Sequence, residues 1–161
     1  ELCTEAGAVE VLEADERIWK MRRNCQEACV LSASYPLRTM LLYRAIKLPT
    51  QVKFVMKTGE KYPFTPLICA HVGDGNLHIV LCKCDLTDEE WENNVQAFHD
   101  EVYTYAYSIG GRLAGEHGIG AKKLAEMEKY TRPGELNLMR TIKKAMDPKC
   151  ILNPGKIFNV D

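Results

Sequence analysis

The sequence predicts an α+β fold in which helices cover one face of an antiparallel sheet. Three observations support this prediction: a β-hairpin pattern in the centre of the chain, amphipathic helical patterns around it, and the order in which strands and helices alternate. The chain has 161 residues, of which 46% are hydrophobic and 27% charged. This composition is typical of one globular domain with a buried core, and not of a disordered, collagen-like or coiled-coil chain.

The charge balance and the cysteines narrow the class of protein further. With 21 Lys and Arg against 22 Asp and Glu, the chain lacks the basic face that nucleic-acid binding requires. Its apolar runs are only a few residues long, too short to cross a bilayer. The seven cysteines are irregularly spaced and include no paired C-x-x-C. They are expected to be reduced, buried thiols, which favours a reducing compartment, mitochondrial or cytoplasmic.

The first half of the chain has the patterns of a helix, a strand and a second helix. Apolar residues spaced three to four apart predict a helix over residues 9–31, which ends before Pro36 because the residue preceding proline avoids the α region. The apolar run over residues 39–48 predicts a strand. A short helix is expected over residues 52–57, with Thr50 as its N-cap.

The centre of the chain predicts a β-hairpin. Two apolar runs rich in β-formers, residues 67–72 and 77–82, flank the four turn residues 73–76. In this register His71 lies directly opposite His78. Directly opposed residues share one face of a sheet, with Cβ atoms roughly 4.5–5.5 Å apart. The two imidazoles are therefore expected side by side.

The second half of the chain has three helical patterns and one short strand. Thr87 and Glu90 form the signature of a capping box, which opens a helix whose apolar stripe ends at two adjacent glycines. The segment 112–114, after these glycines, is expected to be a strand. Two further helices are expected over residues 121–129 and 133–146.

The order of these elements predicts the architecture. After the leading helix, the chain alternates as β-α-β-β-α-β and then ends in two helices. This is the split β-α-β arrangement of the ferredoxin-like fold, an antiparallel sheet with helices on one face. We therefore expect a ferredoxin-like α+β domain with additional C-terminal helices.

Two histidines of the hairpin and one carboxylate are candidate metal ligands. Imidazoles on one sheet face can converge on a single cation, and catalytic zinc sites often combine two histidines with one glutamate. Glu116 is the candidate carboxylate because the glycines around it allow close approach of the backbone. The residues alone leave open a second interpretation, in which His71 and His78 are ordinary solvated histidines on a sheet face.

Other polar residues have several expected roles. His117 is either a hydrogen-bonded turn residue or a proton acceptor beside Glu116, since histidine titrates near neutral pH. His99 lies off the apolar stripe of its helix, which predicts a solvated side chain. Lys122 and Lys123 are expected on the solvated face of a helix.

Four segments together are typical of a known family. They are His71-Val72-Gly73-Asp74-Gly75-Asn76-Leu77-His78, Gly115-Glu116-His117-Gly118-Ile119-Gly120, Asn153-Pro154-Gly155-Lys156 and Trp19-Lys20-Met21-Arg22. With them the chain resembles the C-terminal domain of FAD-linked oxidases of the vanillyl-alcohol-oxidase class. Within this class it resembles the types named D-lactate dehydrogenase (cytochrome), D-2-hydroxyglutarate dehydrogenase and glycolate oxidase flavoprotein subunit. The resemblance covers nearly the whole chain.

The resemblance implies a metal centre and a catalytic base. It implies that His71, His78 and Glu116 bind a divalent metal, with zinc expected first and iron or manganese as alternatives. It implies that His117 is the base that removes the proton of the substrate hydroxyl.

The resemblance also implies contacts to the substrate and to FAD. Arg22 would hold the substrate carboxylate, and Asn76 would lie near the substrate or the flavin. Asn153 and Lys156, in the last turn of the chain, would face the FAD.

The resemblance finally implies a larger protein around this domain. Residues 1–161 would be the C-terminal domain of a flavoenzyme whose N-terminal FAD-binding domain is outside the sequence, and the fragment alone is expected to be inactive. The expected activity is oxidation of D-lactate or a similar 2-hydroxy acid, with a cytochrome or a flavoprotein as electron acceptor. Two alternatives stay open: a protein-interaction module with a cytoskeletal partner, and a stand-alone metallohydrolase.

Overall fold

A computed structural model describes residues 2–31, 36–42 and 47–160, without the side chains of residues 25–31 and 36–42. The described chain has six α-helices, three strands and one 3₁₀ turn at Val72–Asp74. In chain order the helices and strands are α1 (Leu2–Glu5), α2 (Glu16–Leu31), β1 (Pro36–Leu42), α3 (Leu48–Gly59), β2 (Leu67–His71), β3 (Asn76–Cys82), α4 (Asp88–Ser108), α5 (Leu124–Tyr130) and α6 (Pro133–Met146).

The sheet of the described residues has the strand order β1-β3-β2, and both pairs of strands are antiparallel. The chain passes from β1 to β2 through α3, and β3 lies between β1 and β2 in the sheet. This is the split β-α-β arrangement, and it confirms the predicted α+β class. The predicted strand at 112–114 is reduced to a single bridge at Arg112 in the described structure. Glycines on both sides of this short segment weaken a strand.

Several predicted element boundaries are wrong by a few residues. Strand β1 begins at Pro36 instead of residue 39, and the four residues 43–46 of the predicted strand lie outside the described residues. Helix α3 begins at Leu48, with Pro49 in its first turn, so Thr50 lies inside the helix and is not its N-cap. Proline suits this position because the first-turn N–H has no intrahelical partner.

The leading helix is shorter than predicted because Asp15 caps it. The Asp15 carboxylate accepts hydrogen bonds from the backbone N–H groups of Arg17, at 2.9 Å, and of Ile18, at 3.2 Å. A side-chain acceptor at this position satisfies two of the N–H groups that a helix start leaves unpaired. Helix α2 therefore starts at Glu16, and residues 9–15 precede it without forming a helix.

Helix α4 begins and ends as predicted. The Thr87 hydroxyl accepts from the Glu90 N–H, and the Glu90 carboxylate accepts from the Thr87 N–H, which completes the capping box. At the other end Gly110 has a φ of +89°, and the Gly111 N–H donates to the Ala106 carbonyl at 2.8 Å. This is the C-terminal motif that a glycine in the left-handed region makes possible.

The core lies between the sheet and helices α3 and α4. Leu77, Ile79 and Leu81 of β3 are fully buried and belong to one cluster with Val55 of α3 and Phe98 of α4. Successive side chains of a strand point to opposite faces. The residues that alternate with these three therefore lie on the opposite face of the sheet.

Two expectations of solvation are wrong. His99 is buried and stacks on Tyr103, with ring centroids 5.2 Å apart. Burial, together with the nearby Lys123 ammonium, lowers the pKa of His99 to about 4. Lys123 is half-buried, unlike its exposed neighbour Lys122, and burial lowers the pKa of Lys123 to about 8. The position of His99 and Lys123 in the amphipathic pattern did not reveal that their side chains are covered.

The cysteines are only partly as predicted. The cysteines described here form no disulfide, but each is exposed or only half-buried, which corrects the expectation of buried thiols. They are Cys3, Cys69, Cys82, Cys84 and Cys150. The side chains of Cys25 and Cys29 lie outside the described residues. Among the helices described, none combines the length and the hydropathy that a membrane crossing needs.

Candidate metal centre and substrate site

The observed hairpin loop starts one residue earlier than predicted, which changes the pairing of the two strands. His71 pairs with Asn76 and Cys69 pairs with His78, so the loop consists of residues 72–75. Its first three residues form a 3₁₀ turn, which Gly75 ends with a φ of +69°. The predicted direct opposition of His71 and His78 is therefore wrong, and the two histidines are diagonal neighbours. A 3₁₀ turn that starts at Val72 leaves Asn76 free to join the strand.

The diagonal register still places three polar side chains on one face of the sheet. His71 of β2 is opposite Asn76 of β3, and His78 lies two residues after Asn76 in β3. Residues two apart share a face, and diagonal neighbours are within reach of long or aromatic side chains. The ring centroids of His71 and His78 are 5.2 Å apart, with the ring planes at 82°.

A glycine contact brings the third candidate ligand to this face. Gly115 lies so close to Asn76 that a Cβ atom added to it would be 2.2 Å from the Asn76 Oδ1. A glycine is required at this position because any side chain would overlap that amide. The next residue, Glu116, places its Oε1 at 3.5 Å from the His78 Nε2.

The three side chains fit a divalent cation. One ligand atom from each of His71, His78 and Glu116 lies within 4.8 Å of the other two. Bonds of about 2.0–2.1 Å in tetrahedral geometry separate ligand atoms by about 3.4 Å. The pair formed by His78 and Glu116 already has that separation, and His71 and Glu116 are exposed enough to adjust. Two imidazoles and one carboxylate suit zinc, and also iron or manganese.

Asn76 is buried beside this cluster and has one unmatched acceptor. Its Nδ2 lies 3.3 Å from the His78 Nε2, the same nitrogen that lies 3.5 Å from the Glu116 Oε1, so the Asn76 amide and a cation would compete for that nitrogen. Its Oδ1 has no hydrogen-bond partner among the described residues. An unsatisfied buried acceptor costs about 1–3 kcal/mol, so a donor from a ligand would be favourable here. The sequence did not reveal the contact between Asn76 and His78, because the predicted loop included Asn76, which is in fact the first residue of β3.

His117 lies at the exposed edge of the cluster. Its Nε2 is 3.6 Å from the Glu116 Oε1, and its ring centroid is 6.1 Å from that of His78. Its side chain is 63% exposed, so an approaching substrate can reach the ring. The structure therefore brings together the predicted base and the three predicted metal ligands.

The terminal turn is joined to the same loop. The backbone N–H of Ile157, which follows Lys156, donates to the Gly120 carbonyl at 2.8 Å. Asn153 has a φ of +47°, in the left-handed region that asparagine tolerates. The contact places the turn of Asn153 and Lys156 close to the end of the Glu116 segment, and the role of both residues toward FAD stays a prediction.

Arg22 lies on an exposed part of α2. Its guanidinium carbon is 5.7 Å from the centroid of the Trp19 ring, a cation–π contact within one helical turn. An exposed guanidinium is able to bind a carboxylate through two parallel hydrogen bonds. This role of Arg22 stays a prediction.

Three curated relatives of the chain are named as dehydrogenases of hydroxy acids. The chain is 33% identical to a D-lactate dehydrogenase of Anaerostipes hadrus and 32% identical to a D-2-hydroxyglutarate dehydrogenase of Stutzerimonas stutzeri, each over 98% of its length. It is 30% identical over 91% of its length to a mitochondrial D-lactate dehydrogenase [cytochrome] of Arabidopsis thaliana. The matches span 34%, 36% and 26% of these relatives, so the chain corresponds to between about a quarter and about a third of their length. The family described as FAD linked oxidases, C-terminal domain, matches residues 1–157, and the chain belongs to this family.

Proposed function

We propose that this chain is the substrate-side domain of an FAD-dependent dehydrogenase of D-2-hydroxy acids, of the D-lactate type. The observation that carries the proposal is the convergence of His71, His78 and Glu116 on one sheet face, with ligand atoms within 4.8 Å of one another. The family, and relatives named as dehydrogenases of D-lactate and D-2-hydroxyglutarate, support the same chemistry.

The three ligands would hold a divalent cation, with zinc as the first candidate. When bound, such a cation polarises the hydroxyl of a chelated 2-hydroxy acid and lowers its pKa. The protein contributes two imidazoles on paired strands, whose hydrogen-bond ladder fixes their separation, and a negative charge from Glu116. The two sheet histidines, together with the loop carboxylate, thus define where the carboxylate and hydroxyl of the substrate sit.

His117 is the proposed base. It removes the proton from the α-hydroxyl oxygen of the substrate while the α-hydrogen leaves with its electron pair, so that the alcohol becomes a 2-oxo acid. Histidine suits this step because its ordinary pKa is near the working pH. Arg22 would hold the substrate carboxylate as a fixed cation.

FAD, when bound, supplies the acceptor of the hydride. Asn76, whose Oδ1 lacks a partner among the described residues, would contact the substrate or the flavin, and Asn153 and Lys156 would face the flavin. We propose that an N-terminal FAD-binding domain of the same protein carries most of the flavin contacts. A cytochrome, named in the Arabidopsis relative, or a flavoprotein would take the electrons, and the compartment would be mitochondrial or cytoplasmic.

The test is flavin reduction in the longer protein that contains the FAD-binding domain. His117→Ala is expected to slow reduction of the flavin by D-lactate by about 10²–10⁴-fold, while the metal content stays unchanged. His71→Ala is expected to lose both metal and reduction, and Lys122→Ala, a change at an exposed position, neither. Stopped-flow absorbance of the flavin and elemental analysis measure the two quantities. Normal reduction in His117→Ala would contradict the assignment of the base.

The two alternatives have no comparable support. None of the three relatives carries a name that refers to a cytoskeletal partner or to hydrolysis. The interaction module predicts a saturable partner together with absence of both metal and flavin reduction. The metallohydrolase predicts hydrolysis by the chain without flavin. The experiment above separates both from the dehydrogenase.

A further inference from the structure

Lys123 makes a contact that its place in the sequence does not suggest. It immediately precedes α5, and its Nζ donates a hydrogen bond to the Leu113 carbonyl at 2.7 Å. Leu113 is 1% exposed and belongs to the hydrophobic core. An ammonium-to-carbonyl bond is charge-assisted and stronger than a bond between neutral groups. The half-buried lysine therefore fixes the start of the segment that follows Leu113.

The segment 113–120 is held at both ends. Lys123 binds the carbonyl at its first residue, and the Ile157 N–H binds the carbonyl of Gly120 at its last. Between these anchors, Gly115 lies against the buried amide of Asn76, at a distance that admits no Cβ atom.

Glu116 is the candidate ligand that depends on this segment. His71 and His78 are on paired strands, whose hydrogen-bond ladder fixes their separation. Glu116 is on a segment without such a ladder, three residues after the carbonyl that Lys123 binds. Groups that orient metal ligands without touching the metal commonly change metal affinity when they are removed.

We propose that Lys123 is a positioning residue, which anchors the Leu113 carbonyl and thereby places Glu116 beside the two sheet histidines. The inference rests on the proposed metal centre. It assigns Lys123 no contact with metal, substrate or flavin. It also distinguishes Lys123 from its neighbour Lys122, which is exposed and has the same charge.

Two measurements on the 161-residue chain test this inference. In the metal-free chain, Lys123→Met is expected to speed amide hydrogen exchange across residues 113–120, and Lys122→Met is expected to leave it unchanged. With Zn²⁺ in competition with a chromophoric chelator, Lys123→Met is expected to bind about 10–100-fold more weakly than the wild type. Lys123→Arg, which retains a long cationic donor, is expected to recover most of the affinity.

A matched control separates positioning from a general loss of stability. Met127→Ala removes a buried side chain of α5 and is expected to lower the melting temperature without changing Zn²⁺ affinity. Should Lys123→Met fail to fold, Lys123→Gln replaces it, with the same expected loss of affinity.

The outcomes separate this inference from the proposed function. Wild-type exchange rates and wild-type Zn²⁺ affinity in Lys123→Met would overturn the positioning role. A wild-type chain that binds no Zn²⁺ would contradict the proposed metal centre, whereas the exchange measurement would still decide whether Lys123 anchors the segment.

Discussion

The contact between Gly115 and Asn76 allows a sharp test of the candidate metal centre. In Gly115→Ala the new Cβ would lie 2.2 Å from the Oδ1 and 2.5 Å from the Cγ of Asn76, whereas ordinary contact begins at 3.4 Å. The two residues must therefore separate by about 1 Å or more. Asn76 is 3% exposed and has little room to withdraw, so the loop is expected to move.

The displacement acts on the next residue along the chain. Glu116 Oε1 is 3.5 Å from His78 Nε2, and a shift of this size removes the separation that a shared cation needs. We expect Zn²⁺ affinity to fall by about 10–100-fold, equivalent to about 1.4–2.7 kcal/mol. Overpacking is expected to lower the free energy of unfolding by about 1–3 kcal/mol as well.

Chelator competition with Zn²⁺ and chemical denaturation of the metal-free chain measure these two effects. Gly73→Ala is the matched control, because Gly73 lies in the adjacent hairpin loop and nothing lies within 4 Å of a Cβ placed there. Gly115→Ala combined with Asn76→Ala tests the cause, since removal of the amide restores space and should make the two stability losses less than additive. If Gly115→Ala matched the wild type in both measurements, the argument that this contact positions Glu116 would be refuted.

Two further predictions concern stability. The pKa of His99 is lowered to about 4 by burial, so the unfolded chain binds a proton that the folded chain does not. The free energy of unfolding should therefore fall by about 3 kcal/mol as the pH drops from 7 through 4. Urea denaturation at several pH values measures this decrease in the wild type. His99→Gln should not show the decrease, and the same decrease in that variant would contradict the assignment to His99. Thr87→Ala removes one half of the capping box and should lower the free energy of unfolding by about 1 kcal/mol in the same assay. Thr87→Ser should restore most of this loss. An unchanged free energy of unfolding in Thr87→Ala would exclude a contribution of the cap.

The patterns that local chemistry controls were predictable from the sequence. The capping box at Thr87 and the glycine-ended terminus of α4 follow from neighbouring residues alone, and the structure has both. The start of α2 was missed although it is equally local, because the apolar residues Val9, Val11 and Leu12 extended the helical pattern to the N-terminal side of Asp15. The order of elements was enough to predict the class of fold.

Contacts between distant segments were not predictable in the same way. Lys122 and Lys123 are adjacent and chemically identical, and only the packing of α5 decides which of them reaches the Leu113 carbonyl. His99 lies off the apolar stripe of α4 and stacks on Tyr103 of the same helix, yet its burial comes from packing that the pattern of one helix does not describe. Sequence periodicity reports which residues share a face of one element, and tertiary packing decides which faces are covered.

The predicted pairing of the two strands was wrong, yet His71 and His78 lie on one face of the sheet as predicted, for a physical reason. The predicted and observed hairpin loops both contain four residues, and the observed loop starts one residue earlier, so the partner of each strand residue shifts by two positions. Because side chains alternate with a period of two, a shift by two keeps every residue on its face. A loop of three or five residues would have shifted the partners by one, and His71 and His78 would then lie on opposite faces of the sheet. The diagonal arrangement that results places the two ring centroids 5.2 Å apart, and one ligand atom from each histidine and from Glu116 lies within 4.8 Å of the other two.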